Sequence, residues 1–300
     1  MPPEALAAPS VGGVLGRATE QLARAGVPDA GREAAELYAA LTRRATSAAW
    51  LDRGEPASAT VAAGLEAAVR RRAAGWPQAY AAGAANFRGH WLRVDGRVLI
   101  PRPETEGLVD LVLEWLRRER GASRTRLVVD VGTGSGAIAI ALALETAPGQ
   151  VCVVATDRAA GPIEVAGANV AAHGVEACVR LLRADLLTPV ARGRADVVVA
   201  NPPYVATEEW KRLEPGVRGF EPRAALDGGP DGLAPTRGLA AAARAALRPG
   251  GLLALEVDAR RAGASADIVR AAGFDGCEVL EDLFGRPRYV RARRPADGSH

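Results

Sequence analysis

The run Ala195-Asp196-Val197-Val198-Val199-Ala200 passes directly into Asn201-Pro202-Pro203-Tyr204, and nothing else in the chain restricts its fold as strongly. A short, nearly uninterrupted β-branched run suits a strand buried on both faces, as in parallel α/β sheets. Such sheets place their ligands just beyond the carboxyl ends of the strands. Two consecutive prolines fix φ and remove two N–H donors, so the tetrapeptide forms a stiff loop that holds its carbonyls and the Asn201 amide in a set direction. The structural alternative is that Asn-Pro-Pro only ends a strand and starts a loop.

Around this run, apolar strands alternate with helical stretches, the signature of a doubly wound parallel sheet. The pattern predicts strands at Leu127–Val131, Val151–Thr156, Cys178–Arg183, Ala195–Ala200, Gly251–Val257, Cys277–Glu281 and Arg288–Arg293, with helices between the first five. The expected class is α/β, with a seven-stranded sheet. The tail Pro295 to His300 is expected to be disordered.

The first 80 residues read as helices. Ser10 caps one that stops at Gly26, Asp29 caps a second through Leu41, and Ser58 or Thr60 opens a third with Val61, Leu65 and Val69 on one stripe. Asn86-Phe87-Arg88 and Trp91–Val94 then alternate, and Asp95-Gly96 reads as the turn into Arg97–Ile100, so a β-hairpin is expected to join two domains. The division is 1–80, helical, and 81–300, hairpin linker and α/β domain. Pro101-Arg102-Pro103-Glu104-Thr105-Glu106 stiffens the entry to a helix over about 107–118; Glu104 and Glu106 are candidates for a pocket wall.

Composition narrows the setting. The chain has 300 residues, 48% of them apolar, enough to bury a large sheet. No apolar run of about 18 residues and no basic-then-apolar amino terminus occurs, so neither membrane span nor signal peptide is expected. Cys152, Cys178 and Cys277 are odd in number and lack metal-ligand spacing, which suits a reduced cytoplasm and predicts no metal. A net charge of +3 without a dense basic stripe argues against a duplex-gripping protein.

The first strand runs into Gly132-Thr133-Gly134-Ser135-Gly136 and a helix, where glycines let the backbone approach a ligand and the helix amino terminus offers N–H donors. Gly132, Gly134 and Ala137 also fit a dinucleotide fingerprint, so a nicotinamide ligand stays open here. Asp157 closes the second strand, where a carboxylate can accept both ribose hydroxyls, or else cap the next helix. Asp185 after the third strand can accept from an adenine amine with Leu186 packing on the ring, or be a turn residue. An adenosine-bearing ligand fits all three strand ends.

The fourth strand end adds what hydride transfer does not need. Carboxamide nitrogen is a poor nucleophile because its lone pair is delocalised. The Asn201 side-chain carbonyl and the Pro202 backbone carbonyl can each accept one N–H, favouring a pyramidal nitrogen, while Pro203 stiffens the loop and Tyr204 offers a flat face. With a sulfonium methyl held in line, positioning supplies most of the rate, and no base is required. His90 and His173 tempt a base assignment, yet His173 precedes Gly174 at a helix end, where capping is the ordinary explanation.

These motifs, with Ile100–Glu106, Phe220-Glu221-Pro222-Arg223 and Ala225-Leu226-Asp227-Gly228-Gly229, resemble the S-adenosylmethionine-dependent release factor glutamine N5-methyltransferase family over nearly the whole chain. The resemblance implies a methyltransferase sheet, with Gly132 to Gly136 holding the methionine part of the cofactor, Asp157 its ribose, and Asp185 and Leu186 the adenine side. It assigns the substrate glutamine amide to Asn201, Pro202, Pro203 and Tyr204, with Asn201, Pro202 and Tyr204 catalytic and Asn201 also facing the cofactor. It also implies that the helical domain docks a release factor, whose glutamine lies in a Gly-Gly-Gln loop. A cytoplasmic monomer without direct nucleic-acid contact is expected.

Three positions depart from the family pattern: Leu186 replaces an aromatic, Glu256-Val257-Asp258 lacks the glycine of Glu-X-Gly, and Arg88 replaces an aromatic after Phe87. Two other acceptors suit the loop, a ribosomal-protein glutamine and the N6 amine of adenine in nucleic acid. A non-catalytic cofactor-binding scaffold would call for a degraded acceptor loop, and the loop is intact.

Overall fold

The computed structural model describes residues 8–119 and 124–296, which form two compact units. One comprises the chain up to Gly96 together with Pro215–Phe220; the other comprises Arg97–Glu214 and the chain from Glu221. The expectation of a disordered tail falls, from 297 on, outside the described residues.

The first unit holds helices α1 (Val11–Arg24), α2 (Ala30–Thr42), α3 (Ala48–Leu51), α4 (Ala59–Ala73) and α5 (Gln78–Ala82), then strands β1 (Ala84–Phe87) and β2 (His90–Arg93). Ser10 and Ser58 cap as expected, each accepting a backbone N–H through its hydroxyl, from Gly13 at 3.1 Å and from Val61 at 3.2 Å. Asp29 does not: it sits in a left-handed conformation and its side chain makes no cap bond. Leu22, Leu37 and Leu65 meet in the core of α1, α2 and α4, and Arg72 of α4 grips Glu33 of α2 with two bonds of 2.9 and 3.1 Å.

The hairpin is present, with its turn at Arg88-Gly89 instead of Asp95-Gly96. A two-residue turn whose twist matches the strands needs positive φ at both central residues; Arg88 (+52°) and Gly89 (+81°) supply it, and Asn86 Oδ1 accepts the Gly89 N–H. Arg97–Ile100 is not a strand.

The second unit runs α6 (Glu106–Arg118), β3 (Arg126–Val131), α7 (Ala137–Glu145), β4 (Val151–Asp157), α8 (Ala160–His173), β5 (Val179–Arg183), β6 (Ala195–Ala200) and α9 (Thr207–Trp210). After α10 (Pro215–Arg218), part of the first unit, come α11 (Ala234–Ala246), β7 (Leu247–Glu256), α12 (Ala262–Ala271), β8 (Asp275–Glu281) and β9 (Pro287–Arg293). The sheet order is β5-β4-β3-β6-β7-β9-β8.

Two details differ from the sequence expectation. No helix stands between β5 and β6, which are linked by turns. The sheet is parallel through β7, but β9 inserts antiparallel between β7 and β8. The β8–β9 connection is a tight turn at Asp282–Arg286, too short for the crossover a parallel pair requires.

Burial follows the two-residue period of a strand. Val129, Val131, Val198, Ala200, Leu253, Leu255, Val290 and Ala292 cover one face of the sheet and pack with Leu239, Ala240 and Ala243 of α11 and Ala266 and Val269 of α12. At the amino end of β6, fully buried Asp196 accepts from the Leu127 N–H at 2.9 Å and pairs with Arg124 and Arg248. Burial alone would raise its pKa, but the arginines hold it below the usual range. That anchor ties the amino end of β3 to the amino end of β6.

Candidate functional site

Register assembles the site. Val131 of β3 pairs with Thr156 of β4 on one side and Ala200 of β6 on the other, and Ala200 pairs with Leu255 of β7. Gly132, Asp157, Asn201 and Glu256 therefore each stand one residue beyond the same row. This is the carboxyl edge of the sheet, at the point where the strand order reverses from β3–β4 to β3–β6.

The glycine loop turns sharply because Gly132, Gly134 and Gly136 have φ of +74°, +55° and +84°. The N–H groups of Gly132 and Thr133 both donate to the Thr156 carbonyl, at 2.8 and 2.9 Å, tying the loop to β4. A Cβ built on Gly132 or Gly134 meets nothing within 4 Å, so the backbone there borders open space that a ligand can enter. Gly136 serves packing: its Cβ would press on Ile140 and Ala166 at 3.2 and 3.3 Å. Buried Asn169 of α8 donates to the Ser135 carbonyl at 2.8 Å.

Asp157 is bonded on both oxygens to backbone around the glycine loop and the start of α8. Its Oδ1 accepts the Ala159 N–H at 3.0 Å at the start of α8, and its Oδ2 accepts that of Gly134 at 3.3 Å. A carboxylate has about four acceptor sites, so capacity remains for a diol. Burial raises its pKa above the ordinary value. Asp130, one row inside the sheet, accepts from Thr133 Oγ1 at 2.6 Å, and burial pushes its carboxyl up to about 7.

Asp185 is exposed, beyond the end of β5. Leu186 is half-buried at φ +49°, a strained region for a leucine, and Thr156 Oγ1 donates to its carbonyl at 3.0 Å. The Leu186 side chain packs against the core cluster of α11 and β6.

The acceptor loop is held from outside by the segment 226–232. Val205 forms a parallel bridge with Asp227, its N–H donating to the Leu226 carbonyl at 3.0 Å and its carbonyl accepting from Gly228 at 2.7 Å. Thr207 Oγ1 donates to Asp227 Oδ1 at 2.8 Å. The Phe220–Arg223 motif is anchored through Glu221, whose buried carboxylate pairs with Arg102 and accepts the Ile100 N–H at 3.4 Å.

Asn201 donates through Nδ2 to Thr105 Oγ1 at 3.0 Å, and Thr105 Oγ1 donates to Glu256 Oε2 at 2.7 Å. Tyr204 reaches Glu256 Oε1 with a long bond of 3.4 Å. Neither Asn201 Oδ1 nor the Pro202 carbonyl accepts a hydrogen bond from any described residue. Glu256 is 1% exposed, and burial pushes its carboxyl up to about 7 against the opposing influence of Thr105 and Arg288. Burial, then the nearby Glu256 charge, lifts the Tyr204 phenol far above its ordinary range.

Sequence reasoning assigned no role to Thr105 or Glu256 and considered Glu104 and Glu106 instead. The readable signal for Glu256 was an acid closing an apolar strand, as Asp157 does. Asp258, where relatives were expected to carry glycine, has φ −65° and starts a short 3-10 turn by accepting the Arg260 N–H at 2.8 Å, so no glycine is needed. His173 Nδ1 bonds the Asn169 carbonyl at the end of α8, a structural place. Among the described residues no cluster of potential metal ligands occurs, and no helix is long and apolar enough to cross a membrane.

Two family models match the chain, "Methyltransferase small domain" over residues 109–213 and "PrmC N-terminal domain" over 14–83. The chain is 40% identical to the release factor glutamine methyltransferase of Cereibacter sphaeroides, over 94% of this chain and 98% of that one. It is 41% identical to the protein of that name in Deinococcus radiodurans, over 94% and 97% of the two chains, and 41% identical to that of Moorella thermoacetica, over 93% and 97%.

Proposed function

The chain belongs to the release factor glutamine methyltransferase family, and from that premise we propose that it moves a methyl group from S-adenosylmethionine to the side-chain amide nitrogen, N5, of the glutamine in the Gly-Gly-Gln motif of peptide chain release factors. One observation carries the reading to this chain's own residues: Asn201 Oδ1 and the Pro202 carbonyl, both without a protein donor among the described residues, stand beside the open glycine loop and Asp157.

The residues present suit the cofactor, because Gly132 and Gly134 leave room against the backbone and Asp157 retains acceptor capacity. Gly132, Thr133, Gly134, Ser135 and Gly136 would hold its methionine part, Asp157 its ribose, and Asp185 with Leu186 its adenine side. When bound, it supplies a methyl group made electrophilic by an adjacent sulfonium.

Asn201 Oδ1 and the Pro202 carbonyl each take one N–H of the glutamine amide, which localises the nitrogen lone pair and directs it away from both acceptors. Pro203 keeps the loop from relaxing, and Tyr204 covers one face of the planar amide. On methylation the nitrogen sheds one of its two hydrogens as a proton, which the acceptor already bonded to it guides out to bulk solvent. Segment 1–80 docks the release factor, and the enzyme acts as a cytoplasmic monomer without gripping nucleic acid.

The test offers the protein labelled cofactor together with a release factor, a ribosomal fraction and DNA, and locates the label by mass spectrometry. Label on the Gly-Gly-Gln glutamine supports the proposal. Label on a ribosomal protein or on DNA overturns it.

A further inference from the structure

Building on that functional reading, we propose that Thr105 and Glu256 are positioning residues that determine which end of the Asn201 carboxamide, oxygen or nitrogen, faces the substrate.

The two ends of an asparagine amide are nearly the same shape and opposite in hydrogen-bond sense. Only the oxygen can accept an N–H from a glutamine; an inverted Asn201 would aim its own N–H groups at those of the substrate. Shape cannot choose between the orientations, so a hydrogen-bond partner must. Thr105 is the partner present, bonded to Asn201 Nδ2 at 3.0 Å.

A threonine hydroxyl is ambiguous by itself, since it has one proton and can donate or accept. Glu256 removes the ambiguity. An ionised carboxylate only accepts, so with Glu256 Oε2 at 2.7 Å the Thr105 proton is committed to it, and the Thr105 lone pairs are left for Asn201 Nδ2. Oδ1 then faces away from the relay. A protonated Glu256 can donate to Thr105 instead, which frees the hydroxyl proton to bond Asn201 Oδ1 and favours the inverted amide.

The three groups come from separate elements. Thr105 ends the 3-10 turn Pro103–Thr105, Asn201 follows β6, and Glu256 closes β7. Thr105 is 5% exposed, and among the described residues its side-chain bonds go only to the two relay partners. Around Glu256, Arg288 favours the charged form, Glu104 opposes it, Tyr204 donates to it, and the Tyr289 hydroxyl is engaged by the Glu104 carbonyl. Burial brings its titration up to about 7, so both relay states are accessible near neutral pH.

The test follows the side-chain NH2 signals of Asn201 by NMR, assigned by their absence in Asn201→Asp, through a pH titration. In the wild-type protein the pair should shift with a midpoint near neutrality, and Thr105→Val or Glu256→Gln should abolish that shift. Thr105→Ser, which restores the hydroxyl, should restore it. In methyl transfer, Thr105→Val should lower kcat by about tenfold to a hundredfold, with the KM for cofactor unchanged and Thr105→Ser recovering most of the loss. NH2 signals indifferent to pH in the wild type, or a Thr105→Val variant with wild-type kcat, overturn the proposal. A wild-type protein that leaves release factor glutamine unmodified overturns the functional reading instead, and the titration still decides the relay.

Discussion

Gly232 packs against the backbone of Tyr204 so closely that a Cβ at position 232 would lie 2.5 Å from the Tyr204 carbonyl oxygen. Gly232 also has φ +74°, and Gly228 approaches the Pro203 carbonyl in the same way, at 2.8 Å for an added Cβ. Prolines stiffen the acceptor loop from within, and these glycines hold it from without. Gly232→Ala should therefore cost about 1–3 kcal/mol of stability and reduce methyl transfer more than it reduces cofactor binding. Chemical denaturation and turnover measured on one preparation check this; unchanged turnover would show that the outer segment does not set the loop.

Asp157 bonds Gly134 and Ala159 and is assigned to the ribose. Asp157→Ala should weaken cofactor binding by roughly 1.5–3 kcal/mol while leaving the sheet folded. Calorimetry showing wild-type affinity in a folded variant removes Asp157 from the site.

The two buried acids give stability a definite pH dependence. Asp130 and Glu256 ordinarily titrate at 3.8 and 4.5, and burial raises both to about 7 in the fold. Across that window the folded state retains protons that the unfolded chain has lost. Their contribution is complete below the unfolded values and disappears as pH rises through about 7. The urea midpoint should fall from about pH 5.5 to about pH 8, and Asp130→Asn should flatten that fall. A midpoint that rises across the window contradicts the assignment.

Much of this architecture was legible in the chain because its strands are buried β-branched runs. Ala195–Ala200 forms a strand with the predicted bounds, and the other six strands predicted for the large sheet overlap their observed counterparts. The glycine loop, Asp157 and Asn201 were legible as a set because strand ends in such a sheet converge. The hairpin turn was misplaced because Asp-Gly is the stronger local signal, whereas Arg88 accepts a positive φ that nothing in its own chemistry announces. Asp29 was read as a cap on residue type alone, and its left-handed backbone does not form one. The antiparallel β9 follows from the short Asp282–Arg286 turn, which periodicity does not reveal. Thr105 and Glu256 were missed because they are separated by 151 positions: the register of β6 with β7 brings Glu256 beside Asn201, and Thr105 arrives from the 3-10 turn Pro103–Thr105.

Catalysis in this site turns on Asn201 offering its side-chain oxygen to an amide N–H during transfer. Single-turnover methylation of a release factor by Asn201→Ala tests it most directly, with cofactor saturating and the fold checked by circular dichroism. The expected result is a loss on the order of 3 kcal/mol of transition-state stabilisation, about a hundredfold in rate. A folded Asn201→Ala protein that methylates the Gly-Gly-Gln glutamine at the wild-type rate contradicts it.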